Sequence, residues 1–358
     1  MKIIFVSPNY KPAHKYTISS YNRIFKSVSG NETYFLKDCS NYSSNNLPSD
    51  CKPISFKGID KKTKYLYFFV SPSTQNLRLI KKIKKQNPVS KFVYLYHEPL
   101  TNLKTITKDY GLKLRSIILY FGLLFFNGPR LIRKFDYIIM PSKNSLNLYE
   151  KKRKNTKIAH GMQHLLFDKP VVVDLKREYV SYIGTVAMNH GFNNFVEFAL
   201  SNNLPKNINF LIATSSNVDE EICKRLKETL KERIEIKQGN FLSDEEMAIA
   251  YSKTAVLWLG YTNSAQSGVL PMSLSFGTPS VFSNIAAFNE FLNDKIEGRL
   301  IDIDNKTEIE NAMTDIIENF DKYSLNCLQK FDDNFWFKTQ SPFILDSFNK
   351  IYSQNKPK

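Results

Sequence analysis

Residues Tyr261 to Glu290 read YTNSAQSGVLPMSLSFGTPSVFSNIAAFNE and follow a run of apolar residues, Ala255–Gly260 (AVLWLG). The apolar run is short and continuous, the pattern of a strand buried on both faces. The polar segment after it is expected to open a helix at Gln266-Ser267-Gly268. Ser267 is a favourable N-cap, Gly268 permits close backbone approach, and Pro271 is tolerated in a first turn. Gly277-Thr278-Pro279 stops that helix, and Ser280–Ser283 starts another strand. Strand, loop, helix and strand in this order belong to a parallel α/β sheet. The N–H groups of Gly268, Val269 and Leu270 precede the first intrahelical bonds, which predicts an anion site there, with phosphate the natural occupant.

The same rhythm extends in both directions. Runs at Lys2–Ser7, Glu32–Lys37, Tyr65–Ser71, Lys91–His97, Phe135–Ser142 and Thr156–Gly161 predict strands in the first half. The second half repeats it at Tyr179–Gly184, Asn209–Ala213, Ile234–Lys237, Val256–Gly260, Pro279–Ser283 and Arg299–Ile303. Between these lie expected helices over Phe192–Leu200, Val218–Arg233 and Ser243–Ser252, the last marked by a capping box of Ser243 with Glu246. A hinge is expected over Leu166–Lys176, where Lys169-Pro170 coincides with a change of charge sign. These features divide the chain into domains 1–167 and 168–336 and a tail, 337–358, that continues an amphipathic stretch from Phe335 to Ser353.

At 358 residues, 42% hydrophobic and 23% charged, the chain is a folded protein with room for two domains. Cys39, Cys51, Cys223 and Cys327 are widely spaced, which favours free thiols in a reducing compartment over a disulfide or zinc framework. The opening MKIIFVSP is too short an apolar run for a signal peptide and reads as a first strand. No apolar run approaches the ~18 residues of a membrane span. Charge is lopsided: residues 1–165 hold 30 Lys+Arg against 8 Asp+Glu, a balance of +22, and the remainder holds 20 against 26. The first half is therefore built to meet something anionic. Its ten-residue apolar run Ile117–Phe126 (IILYFGLLFF) lies between Lys113 and Arg115 on one side and Arg130, Arg133 and Lys134 on the other. Lys81–Lys85 and Lys151–Lys154 add further clusters. Apolar side chains beside cations suit an interfacial membrane surface; a buried core helix with solvated lysines is the plain alternative, and no recognisable nucleic-acid motif accompanies them.

The pattern Tyr261, Gln266-Ser267-Gly268-Val269, Phe276-Gly277, Pro279 and Glu290 resembles the donor-site segment of glycosyltransferase family 4, in its Gln-Ser-Gly-Val subgroup. The resemblance implies an α/β protein of GT-B architecture: two Rossmann-like domains facing across a cleft, with a C-terminal helix crossing back to the N-terminal domain. It makes 1–167 the acceptor and membrane-facing domain, and 168–336 the nucleotide-sugar-binding domain. The implied reaction moves a hexose from a nucleotide-diphosphate sugar to a lipid-linked or surface polysaccharide acceptor, with retention. No metal and no cofactor besides the donor substrate are expected. Implied partners are that donor, a saccharide or polyprenyl-linked acceptor and an anionic membrane surface, with no nucleic acid. The implied location is cytoplasmic, peripheral on the inner face of the cell membrane.

By the same resemblance His97 and Glu98, ending the run Tyr94–Glu98, line the reaction centre. Gly184, Thr185 and His190 match the first loop of the donor domain, although the family usually has Arg and Lys where Thr185 and His190 stand. Lys11 and Lys15 are candidates for the missing cations, and His190 for a phosphate donor. Thr214 follows a strand near the same edge; Asn240, Phe241 and Leu242 match the nucleotide-base loop; Glu290 fits either a ribose contact or a plain helix charge. The family's paired glutamates fall here on Ser264 and Met272. The first loop, Pro8–Ser20, lacks the usual glycine pair, leaving His14 and Tyr16 to shape the acceptor side. His160-Gly161-Met162 resembles the turn into the interdomain linker. Asp302-Ile303-Asp304 is set aside as a metal motif because it lies in strand-like sequence near the C-terminus. Two other readings stand beside this one: a catalytically silent GT-B-like binding subunit, and a basic nucleic-acid-binding protein.

Overall fold

The computed structural model describes residues 1–8, 12–39, 51–70, 73, 75–96, 118, 121, 129–140, 142–143, 145–147, 159–161, 168–201, 203–240, 242–264 and 267–353. The chain divides into two compact units, Met1–Leu166 with Phe337–Lys358, and Phe167–Trp336.

The first unit is built on parallel strands β1 Lys2–Val6, β2 Glu32–Leu36, β3 Lys52–Ile54, β4 Leu66–Phe69, β5 Lys91–Leu95, β6 Tyr137–Met140 and β7 Ala159–Gly161. Their order is β3-β2-β1-β4-β5-β6-β7. Successive side chains point to opposite faces, so a continuous apolar strand feeds two cores at once. Ile3, Phe5 and Phe68 pack on one face, and Ile4, Val6, Tyr67 and Phe69 on the other. The short strand β3 was not foreseen. It sits at the sheet edge, the place where a strand tolerates a proline such as Pro53.

Helix α1, Pro12–Lys26, lies against the first core, and α2, Asn76–Gln86, against the second. The expected loop Pro8–Ser20 is thereby corrected: helix begins at Pro12, whose fixed φ suits a first helical position, and His14 and Tyr16 fall within it. A four-residue helix, α3, spans Pro129–Ile132. Among the described residues no helix is long and apolar enough to cross a membrane.

The second unit carries β8 Tyr179–Ile183, β9 Asn209–Ala213, β10 Ile234–Lys237, β11 Thr254–Leu259, β12 Ser280–Ser283 and β13 Gly298–Ile301, all parallel, in the order β10-β9-β8-β11-β12-β13. Its helices are α4 Phe192–Ser201, α5 Glu220–Leu230, α6 Asp244–Ser252, α7 Val269–Ser275, α8 Ala286–Asn289, α9 Lys306–Glu318 and α10 Phe320–Asn334. Caps fix their starts. The Asp219 carboxylate accepts from the amides of Glu221 and Ile222, and Ser243 with Glu246 forms the expected capping box. Helix α7 ends in a Schellman turn: Gly277, at φ 62°, donates to Leu274 O, and Thr278 donates to Ser273 O. The half-buried Arg177 guanidinium ties that turn to the end of α6, donating to the carbonyls of Tyr251, Thr254 and Phe276 and to the Thr278 hydroxyl.

The final helix, α11 Phe337–Ser353, belongs to the first unit and buries Ile344, Phe348 and Ile351 in its core. The Phe348 ring stands 4.8 Å from Phe25 and 5.5 Å from Phe68, both edge-on.

In each sheet the first four sequential strands run 3-2-1-4, so the order reverses between β1 and β4 and between β8 and β11. Loops leaving the two strands at such a reversal diverge to opposite faces, which opens a crevice at their carboxyl ends.

Candidate functional site

The reversal in the second unit falls where most of the sequence candidates lie. Strand β8 leaves the sheet at Gly184, whose φ of 129° only glycine adopts readily. A β-carbon there would come within 3.1 Å of the Val269 side chain, so the loop after β8 and the first residue of α7 touch. Tyr182 donates its hydroxyl proton to the Thr185 carbonyl at 2.7 Å, which fixes the bend from inside the core. The loop continues through a one-turn 3-10 helix, Met188–His190, to Gly191.

The loop after β11 is bound to this one. The Thr262 amide donates to Asn189 O at 2.9 Å, and the Asn189 side chain donates to Asn263 O at 3.2 Å. The His190 ring lies flat on Tyr261, with centroids 4.3 Å apart and planes 9° apart. Gly191 and Gly260 approach so closely that a β-carbon on Gly191 would lie 1.9 Å from Gly260 O. Trp258 donates its indole N–H to Gly191 O at 3.1 Å. Asn189, Gly191, Gly260 and Thr262 were not among the site candidates taken from the sequence. Only the facing of β8 and β11 reveals them, and a lone sequence does not show which glycines meet.

His190 needs a correction. Its Nδ1 stands 3.1 Å from Thr185 O. A carbonyl only accepts, so Nδ1 carries the proton and Nε2 of the neutral ring has none to give. Burial lowers the imidazole pKa, with the hydrogen bond to Thr185 working the other way. His190 donates to a phosphate only once protonated.

Ser267 also differs from expectation. The N-cap of α7 is Gly268, with no side-chain cap bond, and Ser267 is buried with its hydroxyl 3.5 Å from the Tyr261 hydroxyl. Gly268 is exposed. Neither its amide nor that of Val269 has an acceptor among the described residues. At seven residues α7 has a small dipole, so any anion held here depends on individual N–H groups. Tyr261 is likewise a buried pillar, between His190 and Phe288, rather than an exposed contact.

Along the rest of this edge, Ser216 bridges three loops. Its hydroxyl accepts from the Val186 amide, its amide donates to the Thr214 hydroxyl oxygen, and its carbonyl accepts from Gly239. Thr214 is thus a buried turn residue, whereas Asn240 is exposed on the loop after β10 and Leu242 packs partly into the core. Glu290 closes the one-turn helix α8, after β12. A hollow of about 420 Å³ lies beside the seam, at the ends of β11 to β13, lined by Tyr261, Thr262, Asn284, Asp302 and Glu308 among others. The acids there serve the start of α9: Glu308 accepts from the Asp302 amide, and Asp302 from that of Asp304. No group of metal-ligating side chains occurs among the described residues. His97, Glu98, Phe241 and Gln266 lie outside the described residues, as do Lys11 and Met162.

No family model and no curated protein matches the sequence. Solved structures do. Sucrose-phosphate synthase from Thermosynechococcus elongatus superposes with a TM-score of 0.70 over 99% of each chain, at 12% identity. HepE from Anabaena, crystallised with UDP and glucose, gives 0.68 over 98% of this chain and all of its own, at 12% identity. The pneumococcal O-GlcNAc transferase GtfA, with UDP and GlcNAc, gives 0.60 over 81% of this chain and 57% of its own, at 14% identity. The fold is that of the GT-B glycosyltransferases.

Proposed function

We propose that this protein is a glycosyltransferase whose second unit holds a nucleotide-diphosphate sugar at the carboxyl ends of β8 and β11. One observation carries the reading. At the strand-order reversal, Gly184 lies against Val269, and the exposed start of α7 stands beside a glycine bend held by hydrogen bonds from below. Backbone N–H groups at such a place suit a diphosphate, and stabilise the charge that grows on it as the sugar departs. The structural likeness to proteins solved with UDP supports a nucleotide-sugar donor. The finer reading is metal-independent transfer of a hexose, with retention, to a lipid-linked or surface polysaccharide acceptor. It takes its support from the resemblance of Tyr261–Glu290 to family 4, and so does the placing of His97 and Glu98 near the reacting sugar. A peripheral place on the inner face of the cell membrane draws support from the +22 balance of the first 165 residues. Ile118 and Phe121, the two described residues of the apolar run, add to it, being 63% and 61% exposed.

Gly268→Asp separates site from scaffold. Gly268 has an ordinary φ of −73° and is exposed, so an Asp fits there and helps the helix start. Its carboxylate repels a diphosphate. The expected result is an unchanged or slightly raised melting temperature with the UDP-induced shift lost, a tenfold or greater fall in affinity at about 1.4 kcal/mol. A UDP response equal to that of the parent protein overturns the assignment.

One observation favours a second reading, binding without turnover. Segments 184–191 and 260–268 contain no Lys or Arg, so the loops at the seam bring no permanent cation to a diphosphate. Release of UDP from UDP-sugars by the purified protein, followed by NMR, distinguishes enzyme from silent subunit.

A further inference from the structure

Helix α2 carries a charge pattern that the donor site does not use. It buries Asn76, Leu79, Ile80 and Ile83. On the opposite side Arg78, Lys81, Lys82 and Lys85 follow at i, i+3, i+4 and i+7, all exposed. Like charges so spaced repel one another, and a helix shaped for stability alone would interleave acids. None of the four forms an ion pair with a carboxylate among the described residues. The described acids of this unit are engaged elsewhere: Glu32 with Lys2, Asp38 with the Phe56 amide, Asp60 with Thr63, Asp136 with the Phe92 amide and Asp346 with Lys350.

Two contacts widen the patch. The Lys82 ammonium sits 3.9 Å from the Phe56 ring centroid, next in sequence to the exposed Lys57. Lys84 donates to Lys134 O at 2.9 Å, which brings the exposed Arg133 and Lys134 to the far end. The four helix cations form a row about 10 Å long, with Lys57, Arg133 and Lys134 beside it.

We propose that this face of α2 docks on an anionic lipid bilayer. A straight cationic row meets a plane of head groups along its whole length. The row displays ammonium and guanidinium groups and no aromatic ring on which bases stack, which argues against single-stranded nucleic acid. The same unit also displays Ile118 and Phe121 to solvent, apolar groups that a bilayer accepts. The inference rests on the proposed peripheral place at a membrane and deepens it, adding the cationic row of α2 as the docking face.

The test is sedimentation of the full chain with vesicles of phosphatidylcholine, alone or mixed with phosphatidylglycerol. Binding is expected only to the anionic vesicles and is reduced at high salt. Each neutralised cation weakens partitioning roughly fivefold, so R78Q/K81Q/K82Q/K85Q loses several-hundred-fold. A control set on the second unit, K206Q/K224Q/K227Q/K322Q, keeps its binding. Parent-like binding by the α2 variant overturns the proposal, and so does an equal loss in the control set, which would make net charge the cause. Tighter binding to an oligonucleotide than to the anionic vesicles overturns it in favour of nucleic acid. Melting temperature monitors folding; should the fourfold variant melt early, Arg78→Gln and Lys85→Gln singly carry the test at about fivefold each. A UDP-induced melting shift is measured in parallel. Vesicle binding without that shift sinks the donor reading alone; the shift without any vesicle binding sinks the docking face and the membrane place but leaves the donor reading; parent-like binding by the α2 variant sinks the docking face alone.

Discussion

His190 couples the candidate site to pH. Burial against Tyr261 holds its imidazole below the ordinary value, while the bond to Thr185 O opposes the shift. The unfolded chain takes up this proton at about pH 6.5 and the folded chain only at lower pH. Stability owed to the neutral ring is therefore complete above about pH 6.5 and is lost as pH falls from there through the folded value. Melting curves from alkaline to mildly acidic buffer should show that decline, and His190→Gln should flatten it. If the proposed site holds a diphosphate beside His190, the anion favours the imidazolium, and UDP binding should take up a proton. Titration calorimetry in buffers of different ionisation heat reads that uptake directly, and its absence removes His190 from phosphate contact. The sequence showed His190 in place of a lysine; which ring nitrogen is committed depends on a carbonyl five residues back, and only the folded loop shows it.

At the scale of elements, legibility followed the locality of the cause. The Ser243–Glu246 capping box depends on residues three apart, and it appears as expected, with the Glu246 amide 3.1 Å from Ser243 Oγ and the Ser243 amide 2.8 Å from the Glu246 carboxylate. Ser243→Ala leaves one amide without its partner and should cost about 1 kcal/mol, read as a lower denaturant midpoint at unchanged slope. The turn after α7 was legible for the same reason, because Gly277 alone supplies the left-handed residue. The start of α7 was not. Ser267 has the right chemistry for a cap, but the buried Tyr261 hydroxyl draws its side chain inward and the helix starts one residue later. Strand β3 escaped notice because three residues with a central proline make no pattern, and it exists only because β2 is there to pair with. Helices α9 and α10 were missed although Asn305 caps α9 by accepting from Glu308 N, a signal within reach of the sequence.

At the scale of the molecule, the two sheets were foreseen because continuous apolar runs separated by crossover lengths allow few arrangements besides doubly wound ones. The return of the tail was foreseen only through resemblance; its physical cause is a stripe of Ile344, Phe348 and Ile351 that has to be covered. The cover is supplied by residues from the first seventy positions of the chain. Phe348 meets Tyr21, Phe25 and Phe68, and the Tyr352 hydroxyl donates to Lys64 O at 2.8 Å. This makes the first unit dependent on the last residues of the chain, and the second unit much less so. Phe348→Ala removes a fully buried ring with little chance of collapse around it, at a cost of about 3–5 kcal/mol. Hydrogen exchange should show the loss in β1, β4 and α1, with β8 to β13 protected as in the parent protein. A uniform loss across both sheets would mean that the two units unfold as one, and that the final helix stabilises the whole chain rather than the half it packs on.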